Sequence, residues 1–444
     1  MRFNTPRILL PLALAGTCGL ANAYPLDGLE ESGIRRLQGY LLVQAAPTGA
    51  KLAPGQLWHS DDVKLRLLDY QGPDFDAQPE DPALAAFLAK SLRNRDPSYG
   101  MVLVDMSDPT LVRWAGLRAD TKQNAGSVGK LICMTALFYA LAEAFPDVED
   151  RARVLRESVS PAGTWVSNEI HAVPKWNETL QINQFSVIRQ GDSFRLSEWL
   201  DHAISASANG AGSIIWREAM LIRHFGAEYP KSFEESEQFF KVTPKTQLAE
   251  LARAVVTEPL EQAGIDINSL QQGSFWTTLS KQKVPGRISF ATPRELARLL
   301  FRIEQGRLVD EWSSLQMKKY MYLTKRRYRY SYAPELKDHA VFFKSGSLYS
   351  CKPEEGFRCD KYMGNDRNMM NSVAIVESLE DVEGEGNRHL HYMATLMSNV
   401  LKVNSAWDHS RIAAAVHETI RTNVPQALRE TASQKEMLDS GVSN

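Results

Sequence analysis

The most apolar stretch of the chain beyond its first 23 residues runs from Leu131 to Phe145. Its apolar side chains are not confined to one face, which predicts a helix that is buried on most sides. Such a helix has to lie inside a hydrophobic core, with other elements packed around it. The 444 residues are 43% hydrophobic and 23% charged, so the chain contains enough apolar side chains for that core.

The first 23 residues have the pattern of an export signal. Two arginines precede a short apolar stretch, residues 8–20, and Ala21-Asn22-Ala23 matches a signal cleavage site. The alternative is a buried N-terminal helix, and lipidation at Cys18 is disfavoured because the bulkier Thr17 precedes it. The pattern predicts a periplasmic or secreted protein with no membrane span after the signal is removed.

The overall charge gives no reason to expect a nucleic-acid or anionic-membrane partner. The formal net charge is −2. Removal of residues 1–23 takes away two positive charges and no negative charge, which leaves about −4.

Periodicity and capping residues predict the other elements of the chain. In order they are a helix from Asp81-Pro82, strands Met101–Met106 and Leu111–Leu117, helices Ser197–Ser205 and Gly212–His224, a helix from Thr292-Pro293, strands Ala340–Lys344, Ser372–Glu377 and His389–Met397, and a helix Ser405–Thr422. This order predicts an α/β (α+β) protein: a mixed sheet domain built from both chain ends, with a helical domain inserted between them.

The same patterns predict four regions. Residues 1–23 are the signal, and residues 24–80 are an extension of unknown role with little structure of its own. Residues 81–425 form the main domain, and residues 426–444 form a polar tail.

Ser127 and Lys130 lie at the start of the predicted central helix. A serine hydroxyl becomes a good nucleophile when a nearby group takes its proton. A lysine serves as that group when burial or a second cation depresses its pKa. On a helix that begins at Ser127, both side chains share one face, and free backbone N–H groups lie where an oxyanion would form. Alone, however, S-x-x-K fits a helix cap followed by a solvated lysine better.

Two later motifs change that interpretation. Ser207-Ala208-Asn209 lies in a polar break between two predicted helices, and Lys344-Ser345-Gly346 closes a predicted strand. Each motif alone fits an ordinary loop or strand end. Together with Ser127 and Lys130 they form the ordered set S-x-x-K, S-x-N and K-S-G in a chain with an export signal.

This ordered set resembles the active site of class A β-lactamases and penicillin-binding proteins, whose signatures are S-x-x-K, S-D-N and K-T-G. Residues 196–215 resemble the helix, S-D-N turn and following helix of class A enzymes, and residues 291–300 resemble the T-P helix that precedes K-T-G. The resemblance covers roughly residues 81–425. It implies a β-lactamase/transpeptidase-like fold with the site in the cleft between the sheet and the helical domain.

The resemblance also implies roles in acyl transfer. Ser127 would be acylated by the substrate carbonyl, Lys130 would take its proton, and Ser207 would pass a proton toward the leaving nitrogen. The backbone N–H groups of Ser127 and Ser347 would form the oxyanion hole.

Further positions would bind the substrate. Asn209 would hold the substrate amide and Lys130. Lys344 would attract the substrate carboxylate and order Ser207, and Ser345 would hydrogen-bond the same carboxylate beside Gly346.

Three features depart from the family pattern. Ala208 replaces the Asp of S-D-N, and Ser207 and Lys344 follow Ser127 at long spacings of 80 and 217 residues. The E-x-x-L-N motif, whose Glu activates the deacylating water in class A enzymes, is missing, since no Leu-Asn pair occurs in the chain. Several acids lie in the right broad region, but nothing selects among them and surface acids explain each better: Glu234, Glu235, Glu237, Glu258 and Glu261.

The cysteines have no zinc-binding pattern with histidines, and no metal or organic cofactor is expected. Cys351 and Cys359 lie in a polar segment where a disulfide could form in an oxidising compartment, with free thiols as the alternative. Cys133 lies within the apolar run and is better interpreted as a buried free thiol.

Other candidates have ordinary explanations. The basic and aromatic segment 325–330 fits a solvated face, and the sharper alternative is a rim that attracts an anionic substrate. His202 and His339 are interpreted as structural or surface residues, because Lys130 already supplies a base. Trp199 and Trp216 are interpreted as core residues.

The sequence therefore predicts an exported serine hydrolase that acts on small-molecule β-lactams or cell-wall peptides through an acyl-enzyme. One alternative is a peptidoglycan D,D-peptidase or transpeptidase. The other is a non-catalytic protein of the same fold that binds wall peptides.

Overall fold

A computed structural model describes residues 32–47, 53–324, 327–378 and 389–423 of the chain. The predicted signal sequence and polar tail lie outside these residues. The helices of the described part are α1 Arg36–Ala45, α2 Pro82–Leu92, α3 Lys130–Ala144, α4 Val148–Glu157, α5 Leu196–Ile204, α6 Asn209–Phe225, α7 Phe233–Val242, α8 Lys245–Gln262, α9 Thr278–Lys283, α10 Pro293–Glu304, α11 Glu311–Tyr322 and α12 Ala406–Thr422. The strands are β1 Gly100–Asp105, β2 Arg113–Leu117, β3 Val159–Pro161, β4 Ala172–Asn177, β5 Ile182–Val187, β6 Ser193–Arg195, β7 Leu270–Gln271, β8 Phe290–Ala291, β9 Ala340–Ser350, β10 Arg367–Glu377 and β11 His391–Asn399.

A five-stranded sheet combines strands from both ends of the chain in the order β2-β1-β11-β10-β9. The predicted architecture is confirmed, with one difference: all of its strand pairs are antiparallel, so the sheet is not mixed. The reason is that β1–β2 and β9–β10–β11 each follow one another as hairpins, which join antiparallel neighbours. Strand β9 is an edge strand and contains Lys344, which pairs with Val373 of β10.

The two faces of this sheet are covered by different helices. On one face, α2 and α12 pack against Met101 and Leu103 of β1. On the other face, α10 contacts β1 and β11, and Val102 and Val104 face the larger core. The alternation follows from the two-residue period of a strand. The predicted helix starts are confirmed, since Asp81 caps α2 and Thr292 caps α10 with side-chain hydrogen bonds to backbone N–H groups.

Helix α3 is the buried helix that the apolar run predicts, and it packs against α6 and α8. Ser127 is not in its first turn, because a 3-10 turn, Gly126–Gly129, precedes α3 and contains the serine. Among the described residues, the run Gly126–Ala144 alone is long and apolar enough to cross a membrane. Its apolar window is 72% buried inside the protein, which is typical of a core helix.

The expectation that residues 24–80 have little structure is wrong for the part that the structure describes. Residues 36–45 form α1, and the side chains of Trp58 and Phe75 are buried in the core. Arg36 forms a buried ion pair with Asp201 of α5, with Nη2 2.6 Å from Oδ1. Short 3-10 turns link these contacts. Single buried side chains on such short turns give no periodic pattern of apolar residues, which is why the sequence pattern did not predict this structure.

Candidate active site

The side chains of Ser127 and Lys130 meet at the start of α3. The Nζ atom of Lys130 lies 2.8 Å from Ser127 Oγ, 3.0 Å from the carbonyl oxygen of Ser207 and 3.0 Å from Asn209 Oδ1. These three acceptors match the three N–H bonds of an ammonium group. When the amine is neutral, two N–H bonds suffice for Ser207 and Asn209, and the lone pair is left for the hydroxyl proton of Ser127.

Burial makes the neutral form of Lys130 accessible near pH 7. The side chain is fully buried, and this desolvation lowers the pKa of Lys130 to about 7, opposed by the negative charge of Glu169 and by Cys133. The centroid of the Trp276 ring lies 5.0 Å from Lys130 Nζ. A lysine with such a pKa can act as a general base at neutral pH.

The Ser207-Ala208-Asn209 turn joins α5 to α6 and faces both lysines. Ser207 has a left-handed backbone, with φ 61°, and its Oγ accepts a hydrogen bond of 2.8 Å from Lys344 Nζ. Ala208, which replaces the acid of S-D-N, is fully buried in the core. A carboxylate at that place would be buried among apolar side chains, so the departure from the family pattern matches its surroundings.

Strand β9 brings Lys344, Ser345 and Gly346 against the turn that contains Ser127. A Cβ atom on Gly346 would lie 2.1 Å from the carbonyl oxygen of Ala125 and 3.0 Å from the backbone nitrogen of Ser127. Only glycine permits this approach. Strand β9 therefore runs directly beside the backbone N–H of Ser127. It also contains Ser347, whose N–H is the second oxyanion donor that the family resemblance implies.

Lys344 and Arg329 concentrate positive charge at this strand. Lys344 is buried, and desolvation together with the charges of Lys130 and Arg329 lowers its pKa well below the usual range of a lysine. Arg329 is 6% exposed and donates hydrogen bonds to the carbonyl oxygen of Gly346 at 2.9 Å and to Ser347 Oγ at 3.2 Å. Among the described residues no carboxylate pairs with Arg329, and its guanidinium lies over the rings of Tyr328 and Tyr362.

The solvated-face interpretation of segment 325–330 is therefore wrong for its described residues. Arg327 donates hydrogen bonds to backbone carbonyls of Gly55, Leu336 and His339, and Tyr328 contacts the hydroxyl of Ser345. Lys325 and Arg326 lie outside the described residues. The alternative, a rim that attracts an anionic substrate, stays a prediction, and the sequence could not separate the buried Arg329 from its neighbours.

Glu169 is a site residue that the sequence reasoning missed. Its side chain is 1% exposed, and Oε2 accepts a hydrogen bond from the backbone N–H of Gly210 at the N-terminus of α6. Oε1 accepts hydrogen bonds from the backbone N–H and the Nδ1 atom of His171, each at 2.9 Å. Burial opposes ionisation, but these hydrogen bonds outweigh it and lower the pKa of Glu169. The helix N-terminus favours the same negative charge.

No sequence motif marks Glu169. The acids considered from the sequence all follow Ser207, whereas Glu169 precedes it and comes close to α6 only in the folded chain. The acids considered from the sequence lie elsewhere. Glu237 pairs with Lys283, Glu258 pairs with Arg223, and Glu235 caps the N-terminus of α7. The interpretation of these acids as surface groups agrees with their positions, as Glu234 and Glu261 are also exposed.

The remaining candidates are structural. His202 is buried against the Phe194 ring, and burial lowers its pKa to about 4. His339 packs against His417. Trp199 and Trp216 are core residues.

The cysteines are arranged in two ways. Cys351 and Cys359 are joined by a disulfide just after β9. The Cys133 thiol is free and buried, and burial raises its pKa. A buried thiol of this kind is unreactive.

One group of the described residues has the composition of a metal site. Ligand atoms of Glu304, Glu377 and His391 lie within 4.8 Å of one another. The ammonium of Lys318 already occupies their centre, since its Nζ is 2.6 Å from Glu304 and also contacts Glu377. The lysine supplies the positive charge that a metal ion would bring, so the donor set fits a buried ion network better than a metal site.

The antiparallel sheet, the buried helix α3 and the convergence of the three motifs define a β-lactamase-like serine hydrolase fold. The model of the Beta-lactamase enzyme family matches residues 83–361, which is more than half of the chain. The chain belongs to this family.

Solved structures give distant likenesses. A β-lactamase from Sphaerobacter thermophilus has 13% identity and a TM-score of 0.48, over 77% of this chain and 98% of that one. The protein PBP-A has 16% identity and a TM-score of 0.45, over 81% and 99% of the two chains. A chromosome-encoded β-lactamase mutant of Vibrio parahaemolyticus has 12% identity and a TM-score of 0.44, over 76% and 98%. A comparison with curated proteins gives no match.

Proposed function

We propose that the protein is an exported serine hydrolase that forms an acyl-enzyme on Ser127 with β-lactams or cell-wall peptides. The observation that carries this proposal is the hydrogen bond of 2.8 Å between Lys130 Nζ and Ser127 Oγ, in a place where burial brings the pKa of the lysine to about 7. A non-catalytic binding protein would have no need for a nucleophile with a neutral amine aimed at its proton.

In the proposed acylation, Ser127 Oγ forms a bond to the substrate carbonyl carbon while its proton moves to Lys130 Nζ. The carbonyl oxygen becomes an oxyanion between the N–H groups of Ser127 and Ser347. The carbon–nitrogen bond then breaks, and the leaving nitrogen takes a proton from Ser207, whose hydroxyl is oriented by Lys344 at 2.8 Å. The proton that Lys130 took from Ser127 restores the hydroxyl of Ser207.

The substrate would bear a carboxylate. Arg329 supplies a cationic group beside β9, and an anionic ligand would favour the charged form of Lys344, whose pKa burial and the neighbouring cations lower. Both β-lactams and the ends of cell-wall peptides meet this requirement. The disulfide between Cys351 and Cys359 supports export, because such bonds persist in oxidising compartments.

Hydrolysis also needs a group that activates water. Glu169 is the ionised carboxylate that this site offers, since it accepts a hydrogen bond from the backbone N–H of Gly210, the residue after Asn209, and its charge acts on Lys130. In the proposed second step, water attacks the carbonyl carbon of the Ser127 ester and gives a proton to Glu169. The bond between that carbon and Ser127 Oγ then breaks, the acid is released, and the proton passes from Glu169 back to Ser127 Oγ. This role favours hydrolysis over a permanently trapped acyl-enzyme and over transfer to a second peptide.

The test is a time course with a fluorescent penicillin, followed by intact mass and by peptide mapping, with Ser127→Ala as the matched control. We expect an adduct on Ser127 that forms and then decays, and none in the variant. A stable adduct would instead favour a penicillin-binding peptidase. The absence of both an adduct and penicillin turnover in the unaltered protein, with Ser127→Ala behaving identically, would refute the acyl-enzyme proposal for this class of ligand.

A further inference from the structure

An exposed aromatic pair lies on the surface where the N-terminal end of α12 meets the turn Arg329–Tyr332. Trp407, in the first turn of α12, is 68% exposed, and Tyr332 is 54% exposed. Their ring centroids are 5.7 Å apart in an edge-to-face arrangement. Tryptophan is usually well buried, so an indole this open is typical of a ligand or interaction surface.

Trp407 also lines an open groove of about 730 Å³ between the C-terminal end of α2 and the N-terminal end of α12. The charged groups of the groove cancel, since Arg95 is paired with Asp408, and Asp96 and Arg411 have opposite charges. Amide side chains add further donors and acceptors: Asn94 and Asn404. The groove is thus an aromatic plane with the exposed side chain of Val403 beside it, surrounded by neutral or compensated polar groups.

That combination fits a sugar polymer. A pyranose ring has an apolar C–H face that packs on an aromatic plane, and an outer ring of hydroxyls that pairs with amides, carboxylates and guanidinium groups. Nucleic acids and anionic membranes would require net positive charge, which the groove lacks. A protein partner would require a larger continuous apolar surface than one pair of rings.

The groove lies at the same end of the sheet as the site. Tyr332 belongs to the 3-10 turn Arg329–Tyr332, whose first residue donates to the carbonyl oxygen of Gly346. The connection between β11 and α12 is tied to β10 by Asn368, whose Nδ2 donates to the carbonyl oxygens of Val400 and Val403 at 2.6 and 2.8 Å. The groove is therefore connected to the end of β9 through the short turn that contains both Arg329 and Tyr332.

We propose that Trp407, Tyr332 and this groove form a second binding site, for the glycan strand to which cell-wall peptides are attached. The inference rests on the proposed function, because it assumes that wall peptides are substrates. The site holds the polymer while a peptide branch enters the cleft, so large wall substrates gain binding that an isolated β-lactam does not.

The experiment measures sedimentation of the protein with insoluble peptidoglycan sacculi, together with competition by a soluble hexamer of β-1,4-linked N-acetylglucosamine. Trp407→Ala is expected to weaken binding by about tenfold or more, as is common when a tryptophan anchor is truncated. Trp407→Phe keeps an aromatic plane and is expected to retain most of the binding. Phe185→Ala, which removes an aromatic side chain that is 55% exposed on β5, is the matched control and is expected to behave as the unaltered protein.

Labelling of Ser127 by fluorescent penicillin is measured on the same samples, and Trp407→Ala is expected to leave its rate unchanged. Equal binding of Trp407→Ala and the unaltered protein to sacculi would overturn the proposal. Failure of the sugar hexamer to compete would also overturn it, and would point to recognition of the peptides. If penicillin labels none of the proteins while glycan binding still depends on Trp407, the proposed function fails and the glycan site stands.

Discussion

The amine of Lys130 lies 2.8 Å from the hydroxyl of Ser127, and the same amine contacts the carbonyl of Ser207 and the amide oxygen of Asn209. Two segments of the chain, the turn before α3 and the turn between α5 and α6, therefore hold one nitrogen atom in place. Because this nitrogen is buried, its proton affinity is set by the few groups around it rather than by water.

Replacement of Lys130 tests its role as the base. Lys130→Met removes the amine, and Lys130→Arg keeps a charge but has no form that accepts a proton near neutral pH. Both variants are expected to slow acylation by fluorescent penicillin by about 10²- to 10⁴-fold, the usual contribution of a general base. Lys90→Met, which changes an exposed lysine on α2, should have no effect. Rapid acylation of Lys130→Arg would show that another group takes the proton.

The pH dependence of acylation follows from the pKa of Lys130. Below pH 7 the amine is protonated and has no lone pair for the Ser127 proton, so the acylation rate is expected to rise through about pH 7 and then level off. The negative charge of Glu169 opposes the effect of burial on the pKa of this lysine, so it moves the rise in rate to higher pH. Two other ionisable groups act nearby, Cys133 and Lys344.

Glu169→Gln removes the negative charge and is expected to move the rise to lower pH, because the protonated amine loses a favourable neighbour. Acylation rates measured from pH 5 to 9 give the midpoint. The same variant is expected to slow decay of the adduct, since no carboxylate is left to activate water. An unchanged midpoint would mean that Glu169 has no influence on Lys130.

Arg329→Ala tests the recognition of a carboxylate. The variant is expected to slow acylation by a penicillin with a free carboxylate by about 10- to 100-fold, the loss typical of a hydrogen bond to a charged group. Acylation by the methyl ester of the same penicillin should change little. Arg329→Lys, which keeps the charge, should recover part of the rate. Equal slowing of the acid and the ester would indicate distortion of β9 instead.

Arg36→Ala tests whether the segment before α2 belongs to the folded domain. Arg36 is 1% exposed and its partner Asp201 is fully buried. Removal of one partner of a buried ion pair typically costs about 3–5 kcal/mol of unfolding free energy. Arg35→Ala, which breaks a pair with Glu198 that is more open to water, should cost less. Urea denaturation of the two variants makes the comparison, and equal stability of Arg36→Ala and the unaltered protein would mark residues 32–45 as a dispensable extension.

Much of the fold could be predicted from local patterns. Asp81 and Thr292 cap helices with side chains that bond the next backbone N–H groups, and such caps act within a few residues. The apolar run after Lys130 predicts a buried helix for the same local reason. The three motifs also predict their own convergence, because their residues match a family in which the contacts between them are already known.

Contacts between distant segments were decided by the tertiary structure alone. Glu169 reaches Gly210 across 41 residues, and Arg36 reaches Asp201 across 165. Nothing in the sequence around Glu169 or Arg36 distinguishes these charged residues from ones that lie on the surface. The sequence by itself determined the central helix and the three motifs of the candidate chemistry. Only the folded chain decided which charges are removed from water together, and hence the place of Glu169 and the proton affinity of Lys130.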